Sequence, residues 1–180
     1  MGDKRLKVFR GDITRVETDA IVNAANSSLM GGGGVDGAIH RAAGLGLLEE
    51  CRRVAEERRN VLNGPCPPGD AVITGAGKLP CKKVIHTVGP VWRGGGAGEA
   101  ELLVSCYRKS LLLMESAGLK SVAFPNISTG VYGYPKDKAA RVAVEAVRET
   151  LGDTPGIETV VFVCFDDENF SFYESLGIGE

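Results

Sequence analysis

The 180-residue chain is long enough to bury the core of one domain, and its 43% hydrophobic and 24% charged content is ordinary for a globular protein. Its net charge of −2 argues against broad binding to the nucleic-acid backbone, which needs a basic face. No run approaches the ~20 apolar residues that span a bilayer, and the N-terminus lacks the apolar stretch of a signal peptide. We therefore expect one domain over residues 1–180, with no membrane association.

The cysteines and histidines bear on compartment and metal binding. The five cysteines are Cys51, Cys66, Cys81, Cys106 and Cys164. Their odd number and the absence of a CxxC motif indicate reduced thiols, as in a cytoplasmic protein. His40 and His86 stand far apart without a cluster of ligands at metal-site spacing, so we expect neither a metal nor a cofactor.

Strand-like and helix-like patterns alternate along the chain. Segments rich in Val, Ile and Phe predict strands at 6–10, 20–23, 71–75, 83–88, 121–125 and 159–165. Apolar residues at helical spacing predict helices at 35–43, 45–59, 99–117, 136–151 and 168–176. This alternation predicts a largely parallel sheet covered on both faces, with ligands bound at the carboxyl ends of the strands.

The first candidate site is a glycine-rich loop that joins a strand to a helix. Segment 23–37 reads NAANSSLMGGGGVDG. Glycines let backbone N–H groups approach a ligand, and a helix N-terminus adds free N–H groups and partial positive charge. This pattern predicts a phosphate site, with a ligand-free flexible loop as the alternative. Gly32, Gly34 and Gly37 fit GxGxxG, but they stand too far behind the strand for a conventional dinucleotide fold.

Two further candidate sites follow other predicted strands. In segment 124–135, FPNISTGVYGYP, the backbone and the Ser128 and Thr129 hydroxyls could hold a second phosphate; an ordinary turn is the alternative. Two such loops favour a pyrophosphate ligand. Asp12 could accept a hydrogen bond from an exocyclic amine, and Phe165 could stack on a base. A turn-forming aspartate and a core phenylalanine are the alternatives at those positions.

Taken together, these segments resemble the macrodomain family, in particular its MacroD-type branch and the bacterial O-acetyl-ADP-ribose deacetylases. The segments that carry the resemblance are GDI at 11–13, NAAN at 23–26, GGGGVDG at 31–37, HTVGP at 86–90 and 127–133. The resemblance implies a three-layer α/β/α sandwich around a mixed, mostly parallel six-stranded sheet. It also implies a hydrolase that binds ADP-ribose and cleaves acyl esters of the distal ribose, both in O-acetyl-ADP-ribose and in ADP-ribose attached to Asp or Glu of proteins.

The resemblance also implies a role for each site residue. Asp12 and the Ile13 backbone correspond to adenine contacts, and Phe165 to an aromatic near the adenine or its ribose. The residues implied to embrace the diphosphate are Gly33, Gly34, Val35, Ser128, Thr129, Gly130 and Val131. Asn26, Asp36 and Tyr132 lie near the distal ribose in this interpretation, and Asn23 joins the ligand-binding set.

Asp36 is the residue expected to orient or deprotonate the attacking water, while Asn26 fixes the ribose hydroxyls. With an ordinary pKa of ~3.9, Asp36 is expected to be ionised at pH 7 and a weak base. His40, four residues later on the same helix face, could orient Asp36, although a packed histidine is favoured. We interpret His86 as structural, and we find no base in the sequence that would make Ser128 a nucleophile.

Two other functions stay open at this stage. The protein could bind ADP-ribose without turnover, or it could bind poly(A) or other RNA through the adenosine site. The net charge of −2 and the 6% aromatic content disfavour RNA binding. We therefore expect a cytoplasmic monomer whose partners are ADP-ribose, its O-acetyl ester and mono-ADP-ribosylated proteins, and not nucleic acid.

Overall fold

All of the predicted strands form in the computed structural model, which describes residues 3–180. The strands are β1 Leu6–Arg10, β2 Ala20–Ala24, β3 Ala71–Gly75, β4 Lys83–Thr87, β5 Ser121–Phe124 and β6 Thr159–Cys164. A short 3-10 helix, Ile13–Arg15, follows β1. Local sequence pattern therefore located the strands to within about one residue.

The strands pair into one sheet in the order β1-β6-β5-β2-β4-β3. Neighbouring strands run parallel except β3 and β4, which are antiparallel. Strands β2 and β4 are buried along nearly their whole lengths, as expected of strands that are covered on both faces. The prediction of a mixed, mostly parallel six-stranded sheet is confirmed.

Helices cover both faces of this sheet. The helices are α1 Gly34–Ala43, α2 Leu45–Glu57, α3 Glu99–Ser116, α4 Lys136–Thr150 and α5 Asp167–Ser175. Ile21 of β2 joins Leu47 of α2 in one buried cluster, whereas the next residue, Val22, joins Leu111 of α3 in another. Because successive side chains of a strand point to opposite faces, β2 separates two cores, and the three-layer sandwich is confirmed. Within residues 3–180, none of the helices is both long enough and apolar enough to cross a bilayer.

The end of α2 lies two residues before the predicted one. Arg58 leaves helical geometry, and its guanidinium donates to the carbonyl oxygen of Pro65 and pairs with Asp70. These two contacts stabilise the turn at Arg58, and the helix therefore does not extend further. Gly44 separates α1 from α2 with φ of +84°, a conformation that glycine adopts at little cost.

The sheet order brings four strand ends together at one edge. Because β1, β6, β5 and β2 are parallel neighbours, their carboxyl ends lie side by side. The loops that follow these strands are 11–19, 165–166, 125–135 and 25–33. Pairing of Arg10 with Cys164 makes neighbours of the loops after β1 and β6, although they are far apart in the chain. The predicted site residues are thereby gathered along one edge of the sheet.

Candidate active site

A cleft of about 820 Å³ opens at this edge of the sheet, a volume typical of small-molecule sites. The predicted site residues that line it are Asp12, Ile13, Asn26, Gly33, Gly34, Val35, Asp36, Ser128, Thr129, Gly130, Val131, Tyr132 and Phe165. Following the strand order, the wall passes from the loops after β1 and β6, through the β5 loop, to the β2 loop and α1. The structure thus places the predicted site residues, except Asn23, along one continuous wall of the cleft.

An acidic and an aromatic side chain face the cleft at the β1–β6 end. Asp12 Oδ1 accepts hydrogen bonds from the backbone N (2.9 Å) and the hydroxyl (2.7 Å) of Thr14, so Asp12 does form a turn. These bonds, the one from the hydroxyl above all, lower the pKa of Asp12. Its Oδ2 accepts no hydrogen bond within residues 3–180 and lies 3.9 Å from Arg15 Nε. Phe165 is 79% exposed, which makes the core-residue alternative wrong.

The glycine loop ends at the N-terminus of α1, which forms part of the cleft wall. No side chain caps this helix end. A Cβ atom on Gly33 or Gly34 would meet no atom within 4 Å, so the backbone is open to a ligand at both positions. Gly34 has φ of +58°, which favours glycine. The first N–H groups of α1 therefore remain available beside the positive end of the helix dipole, an arrangement that binds anions.

The turn at 128–132 places a second strip of backbone on the cleft. Tyr134 N donates to the Ser128 carbonyl oxygen at 2.9 Å and closes the turn. Ser128 has φ of +66°, and its buried hydroxyl forms no hydrogen bond within residues 3–180. That hydroxyl packs against Gly89, where any side chain would overlap it. Because no base among residues 3–180 contacts the Ser128 hydroxyl, the structure gives no support to a serine nucleophile.

Asp36 lies in the first turn of α1, at the β2 end of the cleft, and is only 5% exposed. Its Oδ1 accepts a hydrogen bond from Asn23 Nδ2 at 2.8 Å. Its Oδ2 accepts none within residues 3–180 and lies against Gly32 at the cleft wall. Burial raises the pKa of Asp36, while the Asn23 hydrogen bond and the charge of His40 oppose that rise. The expectation of an ordinary pKa is therefore corrected: Asp36 is a stronger base than a solvated aspartate.

Asn26 stands across Gly32 from Asp36. A Cβ atom on Gly32 would lie 3.4 Å from Asn26 Nδ2 and 3.3 Å from Asp36 Oδ2, so this glycine keeps the space between the two side chains open. Asn26 Nδ2 donates to the Gly31 carbonyl oxygen at 2.9 Å, and its Oδ1 accepts from the backbone and hydroxyl of Ser28. The amide is thereby fixed in orientation, with one N–H hydrogen left for a ligand.

Two polar residues contact Asp36 from the protein interior. His40 Nε2 lies 3.4 Å from Asp36 Oδ1, so His40 is both packed on its helix and close enough to influence Asp36. Asn23, which was predicted to bind ligand, is 0% exposed and does not line the cleft. Its amide instead faces Asp36 and His86, because Asn23 points, like Ile21, to the α1–α2 side of β2.

The cleft is also lined by residues to which the sequence assigned no individual ligand contact. They include Gly32, Ala38, Arg41, Gly89, Asn126, Lys136, Asp166 and Asn169. Lys136 is paired with Glu168 at 2.8 Å, whereas Arg41 forms no ion pair in the described part of the chain. The spacing of Ala38 and Arg41 along α1 could have indicated that they share a helix face. Gly32 belongs to the glycine-rich loop that the sequence indicated, whereas the need for glycine at position 89 arises from Ser128, which is distant in the sequence.

Fold and cleft together define an α/β ligand-binding domain, with two backbone-lined loops suited to a diphosphate and a buried carboxylate at one end. The macro domain family model matches residues 22–143. The chain is 58% identical over 172 residues to the O-acetyl-ADP-ribose deacetylase of Cronobacter turicensis, an alignment that covers 96% of this chain and 95% of that protein. The chain therefore belongs to the macro domain family.

Solved structures agree with this membership. The Oceanobacillus iheyensis macrodomain with ADP has a TM-score of 0.85 and 45% identity, with 94% of this chain and 88% of that chain covered. A Trypanosoma brucei macrodomain in complex with ADP-ribose has a TM-score of 0.85 and 40% identity, with 97% of this chain and 69% of that chain covered. Similarity at these levels extends over nearly all of the fold described above.

Proposed function

We propose that this protein binds ADP-ribose and hydrolyses acyl esters of its distal ribose, with O-acetyl-ADP-ribose as one substrate. The observation that carries the proposal is the buried Asp36 carboxylate, whose free Oδ2 faces the cleft beside the open N-terminus of α1. The similarity to an O-acetyl-ADP-ribose deacetylase of Cronobacter and to a Trypanosoma macrodomain in complex with ADP-ribose supports the same substrate class.

In this proposal, ADP-ribose lies along the cleft with its adenine, its diphosphate and its distal ribose in that order. Adenine sits at the β1–β6 end, where Asp12 Oδ2 accepts from the exocyclic amine, Ile13 contributes its backbone and Phe165 lies against the base. The diphosphate sits between the N-terminus of α1 and the turn at 128–132, which both present backbone N–H groups. The distal ribose then reaches the open space at Gly32.

Hydrolysis requires a water molecule directed at the acyl carbonyl carbon. Asp36 Oδ2 accepts a proton from this water as its oxygen bonds to that carbon. The bond from the carbon to the ribose oxygen then breaks, and the leaving ribose oxygen takes up the proton that Asp36 accepted, which restores the carboxylate. The products are a carboxylic acid and ADP-ribose. The raised pKa of Asp36 favours this proton transfer, while Asn26 and Tyr132 hold the distal ribose.

The same chemistry extends to ADP-ribose attached to proteins through Asp or Glu, since those linkages are also acyl esters. The guanidinium of Arg41, which forms no ion pair within residues 3–180, lies on the same helix as Asp36 and offers a cation to an acidic acceptor segment. We therefore infer a mono-ADP-ribosylhydrolase activity alongside deacetylation. The five free cysteine thiols support a cytoplasmic location, and we propose that residues 1–180 act as one monomeric domain.

The test compares wild type, Asp36→Ala and Glu145→Ala. Glu145 is an exposed carboxylate on α4 and serves as the matched control. Release of acetate from O-acetyl-ADP-ribose, and of ADP-ribose from a glutamate-modified protein, is measured beside calorimetric binding of ADP-ribose. We expect all three proteins to bind and only Asp36→Ala to lose turnover, by about 100-fold or more.

Other outcomes of this experiment identify the alternatives. Binding without turnover by the wild type makes the protein a reader of ADP-ribose. Tight, salt-dependent binding of poly(A) with weak binding of ADP-ribose makes it an RNA-binding module. Turnover that survives in Asp36→Ala removes Asp36 from the mechanism and leaves the esterase activity itself in place.

A further inference from the structure

A chain of buried polar side chains leads from Asp36 into the sheet. Asn23 and His86 are 0% exposed and Thr74 is 5% exposed. Asn23 Nδ2 lies 2.8 Å from Asp36 Oδ1 and 3.1 Å from His86 Nδ1, and His86 Nε2 lies 2.9 Å from Thr74 Oγ1. The Thr74 hydroxyl lies 2.9 Å from the Gly75 carbonyl oxygen. Helix α1 and strands β2, β4 and β3 are thus joined by one line of hydrogen bonds behind the cleft.

Donor and acceptor chemistry allows one consistent direction along this line. The Asp36 carboxylate only accepts, so Asn23 turns its NH2 group toward it, and the second N–H of that group points to His86 Nδ1. Nδ1 must therefore accept, and the ring proton resides on Nε2. That N–H donates to Thr74 Oγ1, whose own proton goes to the Gly75 carbonyl oxygen.

The surroundings of His86 keep its ring neutral. Burial, with a smaller effect from the charge of His40, lowers the pKa of His86 to about 3. The titratable groups that face the ring are Cys51, whose Sγ lies 3.8 Å from Nε2, and His40, whose ring centroid lies 6.4 Å away. Burial raises the pKa of the Cys51 thiol to about 11, so this group is neutral as well. The tautomer of His86 is therefore set by its hydrogen-bond partners.

We propose that His86 and Thr74 are positioning residues for the reaction, which act through Asn23 to hold the Asp36 carboxylate with Oδ2 toward the ligand. The inference rests on the proposed function, in which Asp36 activates water. Asn23 Oδ1 has no hydrogen-bond partner within residues 3–180, so only Asp36 and His86 hold the amide. A proton on Nδ1 of His86 would favour a reversed amide, which would turn its oxygen toward Asp36 Oδ1 and push the carboxylate away. This role replaces the earlier interpretation of His86 as purely structural.

Thr74→Val provides the sharpest test, because Thr74 has no hydrogen bond to Asn23 or Asp36. The change keeps the side-chain shape but removes the acceptor of the His86 Nε2–H, which favours the other tautomer. We expect kcat for O-acetyl-ADP-ribose to fall about tenfold, because small displacements of a catalytic group are costly, while the Kd for ADP-ribose stays nearly constant. Thr74→Ser keeps the hydroxyl and should keep kcat. Equal kcat in the two variants overturns the proposal, as does a rise in Kd that matches the loss of kcat/KM.

A second pair of variants separates the two contacts of the His86 ring. His86→Asn places an amide oxygen near the position of Nδ1 and retains the acceptor for Asn23. His86→Gln places its amide near Nε2 and loses that acceptor. We expect His86→Asn to keep kcat within about threefold and His86→Gln to lose about tenfold or more. Equal losses in both would indicate a packing role and overturn the proposal. If the His86 variants fail to fold, Thr74→Val and Thr74→Ser still test the proposal.

Nuclear magnetic resonance gives a readout that needs no substrate. The 15N shifts of His86 should report the Nε2–H tautomer in wild type and the Nδ1–H tautomer in Thr74→Val, with a changed 13C shift of the Asp36 carboxyl group. A wild-type protein that binds ADP-ribose without hydrolysis overturns the proposed function alone. An Asp36 signal that is the same in Thr74→Val and in wild type overturns the positioning role, whatever the turnover.

Discussion

Asp12 and Asp36 stand at the two ends of the same cleft and carry the same side chain in opposite surroundings. The Asp12 side chain is 49% exposed and accepts hydrogen bonds from Thr14, whereas the Asp36 side chain is 6% exposed. The pKa of Asp12 is lowered, chiefly by the Thr14 hydroxyl, and the pKa of Asp36 is raised, chiefly by burial. One end of the cleft therefore suits a stable negative charge for binding, and the other suits transfer of a proton.

The largest expected effect comes from pH, because the pKa of Asp12 is lowered from the ordinary value of an aspartate and the pKa of Asp36 is raised from it. As the pH falls, Asp36 becomes protonated before Asp12 does and then no longer accepts a proton from water. We expect kcat to fall about tenfold per pH unit below the pKa of Asp36, with the Kd for ADP-ribose little changed. Turnover and calorimetric binding across pH 4 to 8 measure both quantities.

The pH experiment needs evidence that the protein stays folded. Far-ultraviolet circular dichroism at each pH supplies that control. A kcat that stays level until the Kd itself begins to rise would contradict the assignment of Asp36 as the base. A Kd that rises in step with the fall of kcat would mean that both carboxyl groups serve binding. The separate roles of Asp12 in binding and Asp36 in proton transfer would then be wrong.

A tenfold effect is expected at the other end of the cleft. Asp12→Ala removes the acceptor for the exocyclic amine of adenine, and hydrogen bonds to charged groups contribute about 1.5 kcal/mol. We expect the Kd for ADP-ribose to rise about tenfold and kcat at saturating substrate to stay unchanged. Inosine diphosphate ribose, which has a carbonyl oxygen in place of the amine, should bind wild type no better than Asp12→Ala, because two hydrogen-bond acceptors would then face each other. A loss of kcat in Asp12→Ala would show that the two ends are coupled.

Several features of this contrast could be predicted from sequence because their signals are local. Runs of Val, Ile and Phe marked the strands, and the glycines at 31–34 stood directly before a helix. Polar residues at strand ends, such as Asp12 and Ser128, indicated loops that could meet a ligand. Asp36, by contrast, was assigned through the resemblance to the macrodomain family, because no local pattern distinguishes a catalytic carboxylate in the first turn of a helix.

Features that depend on contacts between residues distant in the sequence could not be predicted. The strand order of the sheet, which makes neighbours of Arg10 and Cys164, cannot be predicted from any local segment of the sequence. The direction of the Asn23 side chain follows from which face of β2 meets α1, and its contact with His86 spans 63 positions of the chain. The raised pKa of Asp36 arises from burial by several elements at once, so an ordinary value was the only expectation that its sequence neighbours allowed.

The smallest expected effect, on stability, should have opposite signs at the two aspartates. The folded-state pKa of Asp36 is raised, so its contribution to stability is lost as pH rises, and its ionised form is unfavourable at pH 7. Asp36→Asn keeps an acceptor for Asn23 and should raise the free energy of unfolding at pH 7 by about 1 kcal/mol, a gain that disappears at low pH.

Asp12→Ala, by contrast, removes the side chain that caps the 3-10 helix, and its lowered pKa means that the stability it contributes is present above the unfolded value. Because this side chain is half exposed, the expected loss at pH 7 is only about 0.5 kcal/mol. Urea unfolding at pH 7 and at pH about 4 measures both variants against wild type. Destabilisation by Asp36→Asn at pH 7 would show that the carboxylate is better solvated than its burial implies, which would also weaken the case for Asp36 as a strong base.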